Sequence, residues 1–230
     1  MNEFASDFIG VIANPGATIA RVMDKKRWLA ALALVLLVTA IVTFITFPVT
    51  KVEQAKLIRD SEMANKLSEE QLAGLDKFTP TQRVTGSLYA LVFSGLTVVI
   101  GAFFIYLFFK VAGSEGNYVN FFSGAAQASI LDMFLGGILK GTLIMLKKTL
   151  IVHTGLTMFF PGLDFRSLPF IVLSQFDFFS LWYLAALALG VAAYAKISLK
   201  KSISITVAYF LFKSVVFIAF SYLMMKLVGM

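Results

Sequence analysis

Residues 28–48 read WLAALALVLLVTAIVTFITFP, a run without a single charged side chain. A hydrocarbon core about 30 Å thick needs roughly 20 apolar helical residues, so this stretch reads as a membrane span. Working outward, four more such runs follow at 84–109, 121–145, 178–195 and 202–225. Only two of them carry charge: Asp132 and Lys140 in the third run, Lys213 in the last. A water-soluble domain of 230 residues has too little polar surface to cover that much apolar side chain. The expected fold is therefore all-α, a polytopic transmembrane bundle of about five spans. Residues 1–27 are expected to form an interfacial amphipathic segment, and 28–230 a single transmembrane domain with a helical external loop at 49–78.

The composition narrows the chemistry. Hydrophobic residues make up 59% of the chain, which leaves room for short connections and no separate soluble domain. Cysteine is absent, so disulfides, thiolate metal sites and cysteine nucleophiles are excluded. The net charge of +7 comes from residues scattered at span ends, a pattern of membrane topology and not of nucleic-acid binding. Arg21, Lys25, Lys26 and Arg27 precede the first span, and Lys196, Lys200 and Lys201 fill the link between the fourth and fifth. Both clusters fit a multi-pass protein of the inner (cytoplasmic) membrane with its N-terminus in the cytoplasm. Lys147, Lys148 and Arg166 then fall outside, against that trend. The acids Glu3, Asp7 and Asp24 and the length of the first apolar run argue for a retained signal anchor over a cleaved leader.

Between the spans, local signals mark helix starts. Phe4, Phe8, Val11 and Ile12 recur at helical spacing, and Asn14–Pro15 restarts the chain as N-cap and first-turn proline. Ile19, Val22 and Met23 extend an apolar face suited to the headgroup layer. In the polar loop, Ser68 and Gln71 have capping-box spacing, with Leu67 and Leu72 as a staple. Thr79, Pro80 and Gln82 start the second span. Residues 147–175, rich in phenylalanine but broken by Pro161, Gly162 and Pro169, are too interrupted to span and too apolar for water. A re-entrant or interfacial segment reconciles the two, either as a cap over the bundle or as a lipid-contacting surface.

Few residues stand out as functional candidates. A charge at mid-membrane costs about 2.5–3.5 kcal/mol on insertion scales, so it needs a partner. Asp132 and Lys213 sit at matching depths, roughly 16–18 Å along their helices, and are expected to face each other across the bundle. Lys140, eight residues beyond Asp132 on the same face, is expected to reach the outer interface with Lys147 and Lys148. Together these charges could line a polar route. Gly137 and Gly141 in the third span, and Ala186 and Gly190 in the fourth, offer small faces for helix packing. His153 stands alone in an apolar stretch, and no nucleophile elbow, phosphate loop or zinc pair occurs, so no catalytic, cofactor or metal site is expected.

The order of features resembles the bacterial branch of the Yip (Ypt-interacting protein) family across nearly the whole chain. The resemblance rests on FIGVIANPGATIARVM (8–23), KKRW (25–28), the small-residue third span, FDFFSLWYLAALALG (176–190) and KISLKKS (196–202). Asp177, Trp182 and Gly190 are its most specific part. Bacterial members commonly carry a proline in the third span where this chain reads SILDMFLGG, so Asp132 departs from that pattern. The resemblance implies a five-span helical protein without catalysis, acting through lipid, a membrane protein partner or its own copies. Two functions remain open: a scaffold or accessory subunit, and a small transporter, channel or lipid-translocating unit with its route near Asp132 and Lys213.

Overall fold

A computed structural model describes residues 3–228, side chains through 225; residues 1–2 and 229–230 of the domain bounds above lie outside it. Ten α-helices follow in order: α1 (Glu3–Ala13), α2 (Pro15–Lys25), α3 (Leu29–Arg59), α4 (Glu69–Gly74), α5 (Pro80–Val111), α6 (Tyr118–Ser129), α7 (Gly137–Lys147), α8 (Leu168–Ser174), α9 (Phe178–Tyr194) and α10 (Leu199–Val228). A π-helical turn, Ile130–Gly136, joins α6 to α7 without a break. Four helical stretches are long and apolar enough to cross a membrane: α3, α5, α6 through α7, and α10. The fifth apolar helix, α9, has only 17 residues.

The start signals read from sequence operate here. Asn14 accepts from the Ala17 N–H, and complete capping boxes stand at Ser68/Gln71 and Thr79/Gln82. The polar loop is helical in pieces. Its first third continues α3 as far as Arg59, leaving a 3-10 turn at Glu62–Lys66 and the one-turn α4. Pro48 lies inside α3, where its ring nitrogen cannot donate to the carbonyl four residues back, that of Phe44. Arg83 of α5 takes that place: its Nε donates to the Phe44 oxygen at 2.6 Å, and its guanidinium lies 3.9 Å from the centre of the Phe44 ring. One side chain thus repairs the helix and ties it to its antiparallel neighbour.

The N-terminal segment is a helical hairpin seated in the bundle. Ile19, Val22 and Met23, the face read as suited to headgroups, are fully buried, because α2 packs against α9 and α6. Only Ile9 and Ile12 of α1 keep large apolar exposure there. Glycines make the close packing workable: a Cβ on Gly190 would collide with Ile19, and one on Gly124 would come within 2.8 Å of Met23. Polar ties fix the depth. Asn120 donates to the Met23 carbonyl at 2.8 Å, and Gln127 to the Asp7 carbonyl at 2.8 Å. Buried Asp7 accepts from Arg21 at 2.7 Å and pairs with Arg27 at 3.2 Å.

The short α9 has a structural cause. At 1.5 Å per residue it is about 25 Å long, less than a bilayer core. It starts partway along α10: Phe176, just before its first turn, packs its ring against Phe210 in the first half of α10. The irregular segment from Thr149 and helix α8 fill the remaining depth, with α8 packed along α10. Thr149 donates to Glu53 at 3.0 Å, which anchors this segment to the extension of α3.

Candidate functional site

The intramembrane charges gather where three breaks in regular helix meet. The first is the π turn. Its bonds run five residues back, as from the Gly137 N–H to the Asp132 carbonyl, and widen the helix at the aspartate. Such turns recur at functional positions in helices. The second is the start of α9, where Asp177 Oδ1 accepts from the backbone N–H groups of Phe179 (3.0 Å) and Ser180 (3.2 Å). The third is an antiparallel bridge between Gly155 and Asp177, with Phe178 N–H donating to Thr154 O at 3.0 Å and Leu156 N–H to Phe176 O at 3.2 Å. The backbones approach so closely that a Cβ on Gly155 would strike the Phe176 carbonyl and come within 2.7 Å of the Asp177 Cα.

Lys140 joins the two carboxylates. Its ammonium lies 3.2 Å from Asp177 Oδ1 and 3.9 Å from Asp132 Oδ1. Ser180 donates to Asp132 Oδ2 at 3.1 Å, and the Thr154 hydroxyl donates to Asp177 Oδ2. Lys140 does not reach outward to Lys147 and Lys148. Helical side chains lean toward the N-terminus, so Lys140 folds back one to two turns onto the aspartates. Nor is Lys213 the direct partner of Asp132. Among the described residues it makes no ion pair, although Asp132 and Asp177 both act on it electrostatically. Equal depth along two helices put Lys213 in the right neighbourhood, but depth says nothing about which face a residue occupies.

The other sequence candidates fall into place separately. A Cβ on Gly141 would approach Val42 of α3 to 2.6 Å, whereas Gly137 faces open space. A Cβ on its neighbour Gly136 would come within 2.8 Å of the Phe179 ring of α9. Ala186 is buried on α9, and Trp182, half-buried, packs against Phe178 and the hydrophobic core. Thr154, Gly155 and Ser180 were missed. Only Ser180 has a local signal, its place three residues after an aspartate that can cap a helix.

A cavity of about 270 Å³ opens beside this cluster, lined by Thr154, Thr157, Phe165, Phe170, Ser174 and Asp177 among others. His153 packs edge-on against Phe170, 5.7 Å between ring centres. Of the polar side chains that line it, Thr154 donates to Asp177 and Ser174 to the Ile171 carbonyl. Among the described residues no three His, Asp or Glu side chains are grouped to hold a metal ion.

A sequence model of the Yip1 domain matches residues 9–222, from α1 to the second half of α10. No curated protein and no solved structure matches the chain.

Proposed function

The chain belongs to the Yip1 domain family, and from that premise we propose that it is a non-enzymatic scaffold or accessory subunit of the membrane. What carries the reading is the closure of the polar cluster. Asp132, Lys140, Asp177, Ser180 and Thr154 bond to each other and to helix ends, so their charge is spent on holding α7, α9 and the 149–176 segment together. Contacts with partners or with a second copy would then be made by the exposed faces. The phenylalanine-rich turn with Met158, Phe159 and Phe160 and the polar loop before α5 are the clearest of these.

The transport reading draws on Lys213, a half-buried cation near two carboxylates but paired with neither. Paired neutralisation separates the two. Asp132→Asn with Lys140→Met removes opposite charges together and keeps the Ser180 hydrogen bond. A scaffold carrying this pair keeps its assembly in native membranes and shows no ion or lipid flux in liposomes before or after substitution. Flux in the parent that the double variant abolishes would decide for transport.

The proposed location is a cytoplasmic membrane of bacterial type with the N-terminus inside. The C-terminus of α2, the N-terminus of α6 and the link from α9 to α10 lie at one end of the bundle, as the Asn120 to Met23 bond and the closeness of Tyr194 to Asp24 indicate. That end gathers Arg21, Lys25, Lys26, Arg27, Lys196, Lys200 and Lys201. The chain lacks cysteine, so single cysteines at Lys200 and at Gly74, which has open space around it, can be labelled from either side. Labelling of Lys200→Cys from the outside in intact cells would reverse the orientation.

A further inference from the structure

The cavity beside the polar cluster is lined by groups that the protein leaves unbonded. Thr157 is 4% exposed, yet its hydroxyl bonds to no group among the described residues and is not sealed off. The residue lines the cavity, so the hydroxyl opens onto it. Four backbone groups of lining residues are also without a protein partner among the described residues: the N–H groups of Thr154 and Gly155, and the carbonyls of Ile151 and Val152. Among the same residues Asp177 Oδ2 accepts from Thr154 alone, and the Asp177 side chain stays 15% exposed.

These groups reach deep. Lys140, which pairs with Asp177, precedes Lys147 at the end of α7 by seven residues, about 10 Å of helix. Just past that end, Thr149 bonds to Glu53, beyond the Pro48 where the first apolar run stops. The bridge of Gly155 to Asp177 therefore lies about 10 Å below the level at which the apolar runs end. Irregular backbone at such depth is tolerated where protein satisfies it or where it lines water. Polar cavities hydrate while apolar ones stay dry, and about 270 Å³ has room for several waters at about 30 Å³ each. The Lys140 ammonium, 3.2 Å from Asp177, already neutralises that carboxylate and disfavours a cation as the occupant. Toward the other end of the bundle the cluster is closed by Ile130, Leu131 and Leu187, none of them exposed.

We propose that this cavity is an aqueous vestibule with a single opening. Water enters from the end that carries Lys147 and Lys148, bonds to Thr157, the free backbone groups and Asp177 Oδ2, and stops at the Asp132–Lys140–Asp177 cluster. An ion pair at membrane depth thereby shares solvent with one side of the membrane and not the other. The vestibule rests on neither functional reading above: it supplies the missing backbone partners in a scaffold and half of a route in a transporter.

The chain lacks cysteine, so access can be read one position at a time. Thr157→Cys, Leu187→Cys, Lys148→Cys and Lys200→Cys, each alone in the full chain, are placed in sealed vesicles. A trimethylammonium methanethiosulfonate that does not cross membranes is added from either side, and the mass shift reads modification. Lys148→Cys and Lys200→Cys mark the two sides. Thr157→Cys should react from the Lys148 side within about tenfold of the marker's rate, and at least about a hundredfold more slowly from the other, because reaction requires access. Leu187→Cys should react from neither. Ser174→Cys, on the same cavity wall, serves if Thr157→Cys does not fold. In the unsubstituted chain, the 150–157 peptide should exchange its amide hydrogens as fast as the polar loop 60–78. Protection of that peptide would show a dry cavity, and an unreactive Thr157→Cys one closed to solvent; either overturns the proposal. Reaction of Thr157→Cys from both sides or from the Lys200 side alone, or any reaction of Leu187→Cys, would overturn the single opening.

Discussion

Replacing Lys140 by methionine removes the one cation that, among the described residues, pairs with both carboxylates, while keeping most of the side chain's volume. The cost can be bracketed from the geometry. Breaking a fully buried ion pair costs about 3–5 kcal/mol, and an exposed pair is worth about 0–1 kcal/mol. The Lys140, Asp132 and Asp177 side chains are 34%, 29% and 15% exposed, so the site lies between those limits. Asp177 keeps two backbone donors and Thr154, whereas Asp132 keeps only Ser180. Most of the loss therefore falls on Asp132, and Lys140→Met should destabilise by about 2 kcal/mol. For a chain of this size that corresponds to roughly 4–8 °C in Tm. In an Asp132→Asn background the same substitution should cost about half as much, a coupling of about 1 kcal/mol. Thermal melts of the four proteins in detergent, followed by helical circular dichroism, measure the cycle. A neutral Lys140→Met, or one with equal cost in both backgrounds, would refute the idea that this lysine holds the cluster together.

Three further outcomes follow from other contacts. Gly155→Ala cannot be accommodated beside the Phe176 carbonyl; it should force the bridge to Asp177 apart, lower Tm and make the 149–176 segment susceptible to limited proteolysis before the rest of the chain. Arg83→Leu frees the Phe44 carbonyl at Pro48 and removes the ring contact, a loss of about 1–2 kcal/mol in the same melts; Pro48→Ala, which restores the backbone donor, should recover part of it. In the polar loop, Asp76 is held below the ordinary aspartate value of 3.8, first by its own backbone N–H and then by Arg59. A group lowered in the folded state stabilises at pH above its ordinary value and loses that contribution as pH falls through the folded value. Carboxyl NMR titration should place its midpoint below 3.8, and Arg59→Gln should raise it only in part.

The spans were legible because hydrocarbon thickness and helical rise translate directly into run length, as in 28–48 and 84–109. Caps at Asn14, Ser68 and Thr79 were legible for a similar reason: each is decided within four residues. What sequence did not reveal depends on lateral position. Amphipathic spacing identified the Ile19–Met23 face, but it cannot distinguish lipid from the small-residue surface formed by Gly124 and Gly190. The charges Asp132, Lys140 and Lys213 were visible, while their pairing was not, because the π turn changes which side of the helix Lys140 presents. Gly155 and Thr154, far from Asp177 in number, come beside it only once the 149–176 segment has folded into the bundle.

The scaffold reading is tested most directly by stoichiometry. The protein is extracted gently with a tag from its native membrane, washed, and weighed intact by mass spectrometry together with what it retains. The account predicts a membrane protein partner, or further copies of this chain, at a fixed ratio that survives in the Asp132→Asn/Lys140→Met variant. A lone chain carrying only lipid, with flux in liposomes that the same variant loses, would contradict it.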